Sequence, residues 1–293
     1  MARLAGFAIA LGGVIAIAFA IGPRAHATRP AASTTATRPT TAPRPTSAPP
    51  RTTEPRPSKA NGVAKAGKPR HAARTSHEID PHLSSPSDAV TTPAYHYAQL
   101  SQADCEAELV SRHIDFIRET ATGVLAPVRL TGRLHGVEFR SNASAKVRAT
   151  SRYEIVDCRL VLALYDFAQI LSDHGIVEVR HYSMYRPPKS APDGEIGKRH
   201  SGALAIDTGR FIDSAGAELD VDRDFHGAID ARTCGEGAAP DPPTAAALAL
   251  RAILCETVER RLFNVVLTPN YNRPHKNHFH LELTAGVGWF LVH

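Results

Sequence analysis

The segment RPHKNHFHLEL, residues 273–283, places three imidazoles, His275, His278 and His280, within six positions. A second segment, KRHSGALAIDTGRF (198–211), holds His200 and, seven residues later, Asp207 inside an otherwise apolar run. An imidazole binds metals or moves protons near neutral pH. A carboxylate in an apolar strand is costly unless it is paired or bound to a cation. Two imidazoles and one carboxylate form a common zinc set that leaves a fourth position open to water. Zinc in such a site lowers the pKa of that water and polarises a carbonyl. The plain alternative is a solvated basic loop. Against it, the His278–His280 pair falls in an apolar strand, and a matching His and Asp fall on another.

Those side chains need elements that bring them together. HFHLELT (278–284) reads as a strand. Side chains alternate along a strand, so His278 and His280 point one way, into a cleft, and Phe279 and Leu281 point into a core. His275 sits in the loop just before and reaches the same cleft. Residues 201–211 also read as a strand, with Ala203, Ala205 and Asp207 on one face and Leu204 and Ile206 on the other. Gly202 lets the backbone approach a neighbour closely. Glu282 shares the strand face of His280, with simple solvent exposure as its plain reading.

Around these elements, SQADCEAELVSRH (101–113) opens with a Ser cap and predicts a helix. CRLVLALYDFAQILSDHG (158–175) is the clearest helix, with Leu160, Leu164, Phe167, Ala168 and Leu171 at helical spacing and Gly175 as the C-cap. DPPTAAALALRAILCETVERRLF (241–263) predicts another, opened by prolines. APVRLTGRLHGVEFR (126–140, with a turn near Gly132), IVEVRHYSM (176–184) and NVVLTP (264–269) read as strands. Strands and helices mix without strict βαβ alternation. The expected fold is α+β, a mainly antiparallel central sheet flanked by helices, with no internal repeat.

The 293-residue chain is not uniform. An apolar run (4–22) follows Arg3 and ends in RAHA, which reads as a signal peptide over residues 1–27. An uncleaved N-terminal anchor is the alternative, and the only route by which this chain would touch a membrane. Residues 28–94 are rich in Thr, Pro, Ala and Arg and poor in large apolar residues. Such a stretch cannot offset its own ordering entropy, so it is expected to be a disordered linker. Residues 95–293 then form the globular domain. Residues 1–94 carry 12 Lys+Arg against 4 Asp+Glu, whereas the remainder carries 22 against 25. The basic character therefore belongs to the tail, and the domain has no basic patch with interleaved aromatics. Nucleic acid is not an expected partner.

All four cysteines, Cys105, Cys158, Cys234 and Cys255, lie in the domain. In an exported chain they imply two disulfides. Cys105–Cys158 with Cys234–Cys255 is the preferred pairing, and the other two pairings remain open on sequence alone. A cysteine zinc site is disfavoured because there is no CxxC. DVDRDF (220–225) lacks the Gly and terminal Glu of a calcium loop. His181 and His226 are assigned no chemistry.

HSGALAID (200–207) resembles the HxxGxAxD element of the LAS metallopeptidases, which group lysostaphin-type enzymes, D-Ala-D-Ala carboxypeptidases and the sonic hedgehog fold. Ala203 stands where that motif has Gly. HKNHFHLEL (275–283) resembles the HxxHxH element of the murein endopeptidases in the same group. FNVVLTPNYNRPHKNHFHLEL (263–283) looks typical of extensin-like C-terminal domains, and the similarity runs from about Cys105 to Leu283. The resemblance implies a Zn2+ cofactor bound by His200, Asp207 and His280. It implies a substrate-binding Arg186 in the Tyr-Arg element SMYRPP (183–188). Many carboxypeptidases of the group carry a Glu base at the position of Asn277, so His278 or His275 would serve here instead. The implied function is an exported, zinc-dependent peptidase acting on peptidoglycan peptides in the periplasm or cell envelope. A non-catalytic wall-binding module and a structural wall protein are the rivals.

Overall fold

The structure, a computed structural model, describes residues 82–190, 192 and 194–293. The expected signal peptide, and the expected linker up to residue 81, lie outside the described residues. Strand β1 (Leu83–Ser84) leads to helices α1 (Pro93–Gln99) and α2 (Gln102–Ser111) and to β2 (Phe116–Arg118), β3 (Pro127–Leu130) and β4 (Glu138–Ser141). A short α3 (Ala145–Arg148) and β5 (Val156–Asp157) precede the long α4 (Cys158–Asp173), followed by β6 (Ile176–His181). Then come β7 (Ala205–Asp213), β8 (Glu218–Asp220), a short α5 (Val221–Asp224), α6 (Ala245–Glu259), β9 (Val265–Leu267), β10 (Phe279–Glu282) and β11 (Phe290–Val292).

The strands make an eight-stranded sheet in the order β1-β11-β9-β10-β7-β6-β4, with β8 added on β7, and a small sheet β2-β3-β5. All pairs are antiparallel except β4–β6 and β9–β11. The fold is thus α+β around a mixed, mainly antiparallel sheet, as the sequence predicts. It begins upstream of residue 95, because β1 pairs with β11 and α1 starts at Pro93.

Polar caps set where the helices start. Ser101 accepts from Asp104 N, Asp157 from Arg159 N and Thr244 from Ala247 N. Helix α4 is buried on most of its surface, because α1, α2, α6 and β6 all pack against it. Burying side chains such as Phe167 and Leu164 contributes about 1.5–3 kcal/mol each. The disulfides are Cys105–Cys158, joining α2 to the start of α4, and Cys234–Cys255, joining a loop to α6. Their loops of 53 and 21 residues suggest about 4 and 3 kcal/mol of chain-entropy stabilisation. Bonds of this kind persist in oxidising, exported compartments. Among the described residues no helix is long and apolar enough to cross a membrane.

The 126–140 stretch forms two strands, β3 in the small sheet and β4 in the large one. One strand reading needs correction. The 201–211 strand starts only at Ala205, because Arg199–Gly202 wind into a 3-10 turn. Ala203 therefore does not share a strand face with Asp207.

Candidate metal centre

His200 lies in that turn, which runs directly toward β7. The Lys198 carbonyl holds the turn closed, accepting from Ser201 N, Ser201 Oγ and Gly202 N. The turn also requires glycine. A Cβ on Gly202 would lie 2.1 Å from the Gly197 carbonyl oxygen, the close approach expected of this residue. Asp207 is the third residue of β7, and its cross-strand partner on β10 is His280. Phe279 and Leu281 are fully buried in the core, which turns His280 and Glu282 to the opposite face. Strand register thus joins the two sequence segments.

One oxygen organises the site. Asp207 Oδ1 lies 3.1 Å from His200 Nε2, 2.9 Å from His280 Nδ1 and 3.4 Å from His278 Nε2. The candidate ligand atoms of His200, Asp207 and His280 lie within 4.8 Å of one another. Asp207 Oδ2 accepts from Arg186 Nη2, and Arg186 Nε donates to Ser183 Oγ at 2.8 Å.

Each ring is braced from behind. His200 Nδ1 donates to the Met184 carbonyl at 2.9 Å and His280 Nε2 to Glu282 Oε2 at 2.9 Å. His278 Nδ1 donates to Asn277 Oδ1 at 2.9 Å, and His275 Nδ1 to Asn272 Oδ1 at 2.7 Å. All four partners are oxygen acceptors, so each imidazole spends its N–H outward and keeps its second nitrogen for the cleft. Lone pairs facing a carboxylate oxygen repel it unless positive charge lies between them. A proton or a divalent cation meets that demand. The donor set of two imidazoles and a carboxylate, with an acceptor behind each imidazole, fits zinc.

Ionisation follows the same layout. Burial alone would raise Asp207, but where protons rather than a cation fill the gap, hydrogen bonds from His200 and His280 and the nearby imidazole charges hold it well below the usual carboxylate range. His280 is lowered by burial, yet the carboxylates of Asp207 and Glu282 outweigh that and raise it. Burial, then repulsion from His278 and His280, brings His275 down to about 4. Burial also lowers His278, against the pull of Asp207. His275 and His278 are therefore neutral at pH 7.

The structure brings His200, Asp207, His278 and His280 together, with His275 adjoining. The His275 ring lies 5.1 Å from that of His278 and 5.9 Å from that of His280. All line an open cleft of about 620 Å3, and Arg186 lies on the same wall. The four cysteines are bridged elsewhere. Sequence reasoning missed Glu282. It is buried, not exposed, and binds His280, Thr284 Oγ1 at 3.0 Å and Arg199 Nε at 3.4 Å. Its place two residues after His280, in an apolar strand, was the available signal. Asn277 reads in sequence only as a missing base, whereas here it aims His278. The Met184 carbonyl left no sequence signal.

Comparison with curated proteins and with solved structures gives no significant match. Residues 98–291 match the family described as extensin-like protein C-terminus, a span that covers α2 to α6, β2 to β10 and every residue of the candidate centre. By that match the chain belongs to the extensin-like C-terminal family.

Proposed function

We propose that the protein is an exported, zinc-dependent peptidoglycan peptidase that hydrolyses amide bonds of stem peptides or their cross-links. The observation that supports this reading best is the convergence of three imidazole nitrogens on Asp207 Oδ1, each ring braced from behind. His200, Asp207 and His280 would hold the ion. Zinc there supplies a Lewis acid that polarises the scissile carbonyl and acidifies water. The rest falls to the side chains. Neutral His278, aimed by Asn277, accepts a proton from water and returns it to the leaving amine, and His275 beside it shares that task. Arg186 spends two donors on Ser183 and Asp207; its half-exposed guanidinium keeps further N–H groups for a substrate carboxylate or carbonyl.

A second reading, a wall-binding module without turnover, draws on Asn277. That position carries a Glu base in related carboxypeptidases, and here its amide is engaged with His278. One experiment separates the two. The full chain and its His280→Ala variant are assayed for zinc content and for digestion of muropeptides. About one zinc per chain, lost in the variant together with release of new peptide ends, is the expected result. Zinc with muropeptide binding but no digestion supports the binding module. No zinc in the wild type, after reloading as well, overturns the metal centre.

A further inference from the structure

The catalytic cleft is not the end of the groove. A second concavity of about 350 Å3 adjoins it, and the two share Lys198 and Ser201 as a common wall. Lys198 therefore stands where a bound chain would pass from one to the other, two residues before the ligand His200.

Its backbone is fixed there. The Lys198 carbonyl takes three hydrogen bonds from the turn that carries His200. On the other side Gly197 N donates to the Gly123 carbonyl at 2.7 Å, and a Cβ on Gly197 would lie 2.6 Å from the Ser201 carbonyl. Lys198 is thus held at a set distance from the centre while its side chain reaches into solvent.

Charge separates Lys198 from the other cations of the wall. Arg186 is paired with Asp207, and Arg199 with Glu282, both acids of the centre itself. Lys198 forms no ion pair among the described residues. Glu195 lines the second concavity, but it is not within ion-pairing distance of Lys198. An ammonium whose backbone is held at the junction of two concavities, with no ion-pairing acid among the described residues, suits an anion brought by the ligand.

Building on the peptidase reading above, we infer that Lys198 binds a side carboxylate of the peptide substrate, separate from the reacting amide. The site thereby selects stem peptides whose side carboxylates are free over those in which they are amidated.

The test uses two synthetic stem peptides containing diaminopimelate. They are identical except that the side carboxylates are free in one and carboxamides in the other; the C-terminal carboxylate is free in both. Binding to the zinc-loaded full chain is measured by calorimetry, so the result does not depend on turnover. The free-carboxylate peptide is expected to bind about three- to fivefold tighter, the upper scale of one exposed charge pair. Lys198→Gln should bring that preference below about twofold, and Lys198→Arg should retain it. Equal binding of the two peptides by the wild type overturns the inference and leaves the peptidase reading standing. So does an undiminished preference in Lys198→Gln. A merely structural role for Lys198 would weaken both peptides alike and also overturns it. Failure of both peptides to bind overturns the peptide reading of the cleft, and this inference with it.

Discussion

Two buried histidine–carboxylate groups sit in the same sheet, and they do different work. On β6, His181 Nε2 lies 3.0 Å from Glu154 Oε2, and the other Glu154 oxygen accepts from Ser141 at the end of β4. On β10, His280 stands between Asp207 and Glu282. In both groups the histidine and its carboxylates are buried. In the first, one ring meets one carboxylate through a single hydrogen bond; the result is an internal brace. In the second, one carboxylate oxygen faces three imidazole nitrogens, more than it can balance without a cation. The second group also opens to a cleft. Burial of a histidine with an acid is therefore weak evidence of chemistry, and convergence of several lone pairs on one open point is strong evidence.

The sharpest break of that comparison is a pair of matched carboxylate-to-amide changes. Asp207→Asn should lower zinc affinity by more than about a hundredfold, beyond the usual effect of an outer-shell loss. Glu154→Gln should leave it within about twofold. Competition with a chromogenic chelator measures both. A comparable zinc loss in Glu154→Gln would mean that the two groups are one system.

Stability reads the comparison from the other side. Glu154→Gln removes half of a buried pair and should cost about 2–3 kcal/mol in urea unfolding at pH 7. Burial raises Glu154, but the hydrogen bond and charge of His181, with Ser141 adding to them, outweigh it and hold the carboxyl below its ordinary value. A depressed folded-state pKa gives stability that is full above the unfolded value, about 4.3, and is lost as pH falls through the lower folded value. The gap between wild type and variant should therefore close under acid. A gap unchanged between pH 7 and pH 3 would rule out the charged pair.

Within the proposed metal centre, Glu282→Gln tests the brace behind a candidate ligand. An amide in place of the carboxylate weakens the hold on His280 Nε2 and reduces the basicity of Nδ1. Zinc affinity is expected to fall about ten- to a hundredfold, less than for Asp207→Asn. Nitrogen NMR of the His280 ring should show a loss of its fixed Nε2–H form. An unchanged affinity would make Glu282 a structural residue only.

Much of this was legible in sequence. The alternation around Phe279 and Leu281 gives the direction of His280, the apolar run around Asp207 marks a carboxylate that needs a partner, and the cap at Ser101 starts its helix where expected. The parts that were not legible depend on register and on backbone. Nothing local in 201–204 says that the chain turns through a 3-10 segment before entering β7. Nothing in 126–140 says that β3 and β4 part to different sheets. Glu282 and Asn277 act through partners set by tertiary packing, so their residue types alone point to surface and to a missing base. Glu154 and His181 are 27 residues apart in sequence and meet only through the fold.

The smallest expected effect concerns strain, which the two groups also divide unequally. His181 ends β6 at a shift in its register with β7 but without a positive φ, whereas His200 lies between two non-glycine residues of positive φ, Arg199 at φ +51° and Ala203 at φ +53°. For an L-residue this conformation costs about 1–2 kcal/mol. The glycine that LAS-type motifs carry at the Ala203 position suits it. Ala203→Gly removes that strain but gives up a fully buried methyl group, about 0.8 kcal/mol, and frees the unfolded chain by about 0.4–1 kcal/mol. The terms nearly cancel. The variant should unfold within about 1 kcal/mol of wild type and bind zinc with unchanged affinity, because the Lys198 carbonyl and Gly202 still hold the turn. A loss of zinc affinity in Ala203→Gly would show that the methyl group, packed against Val124, Ile155 and Tyr185, is what seats His200.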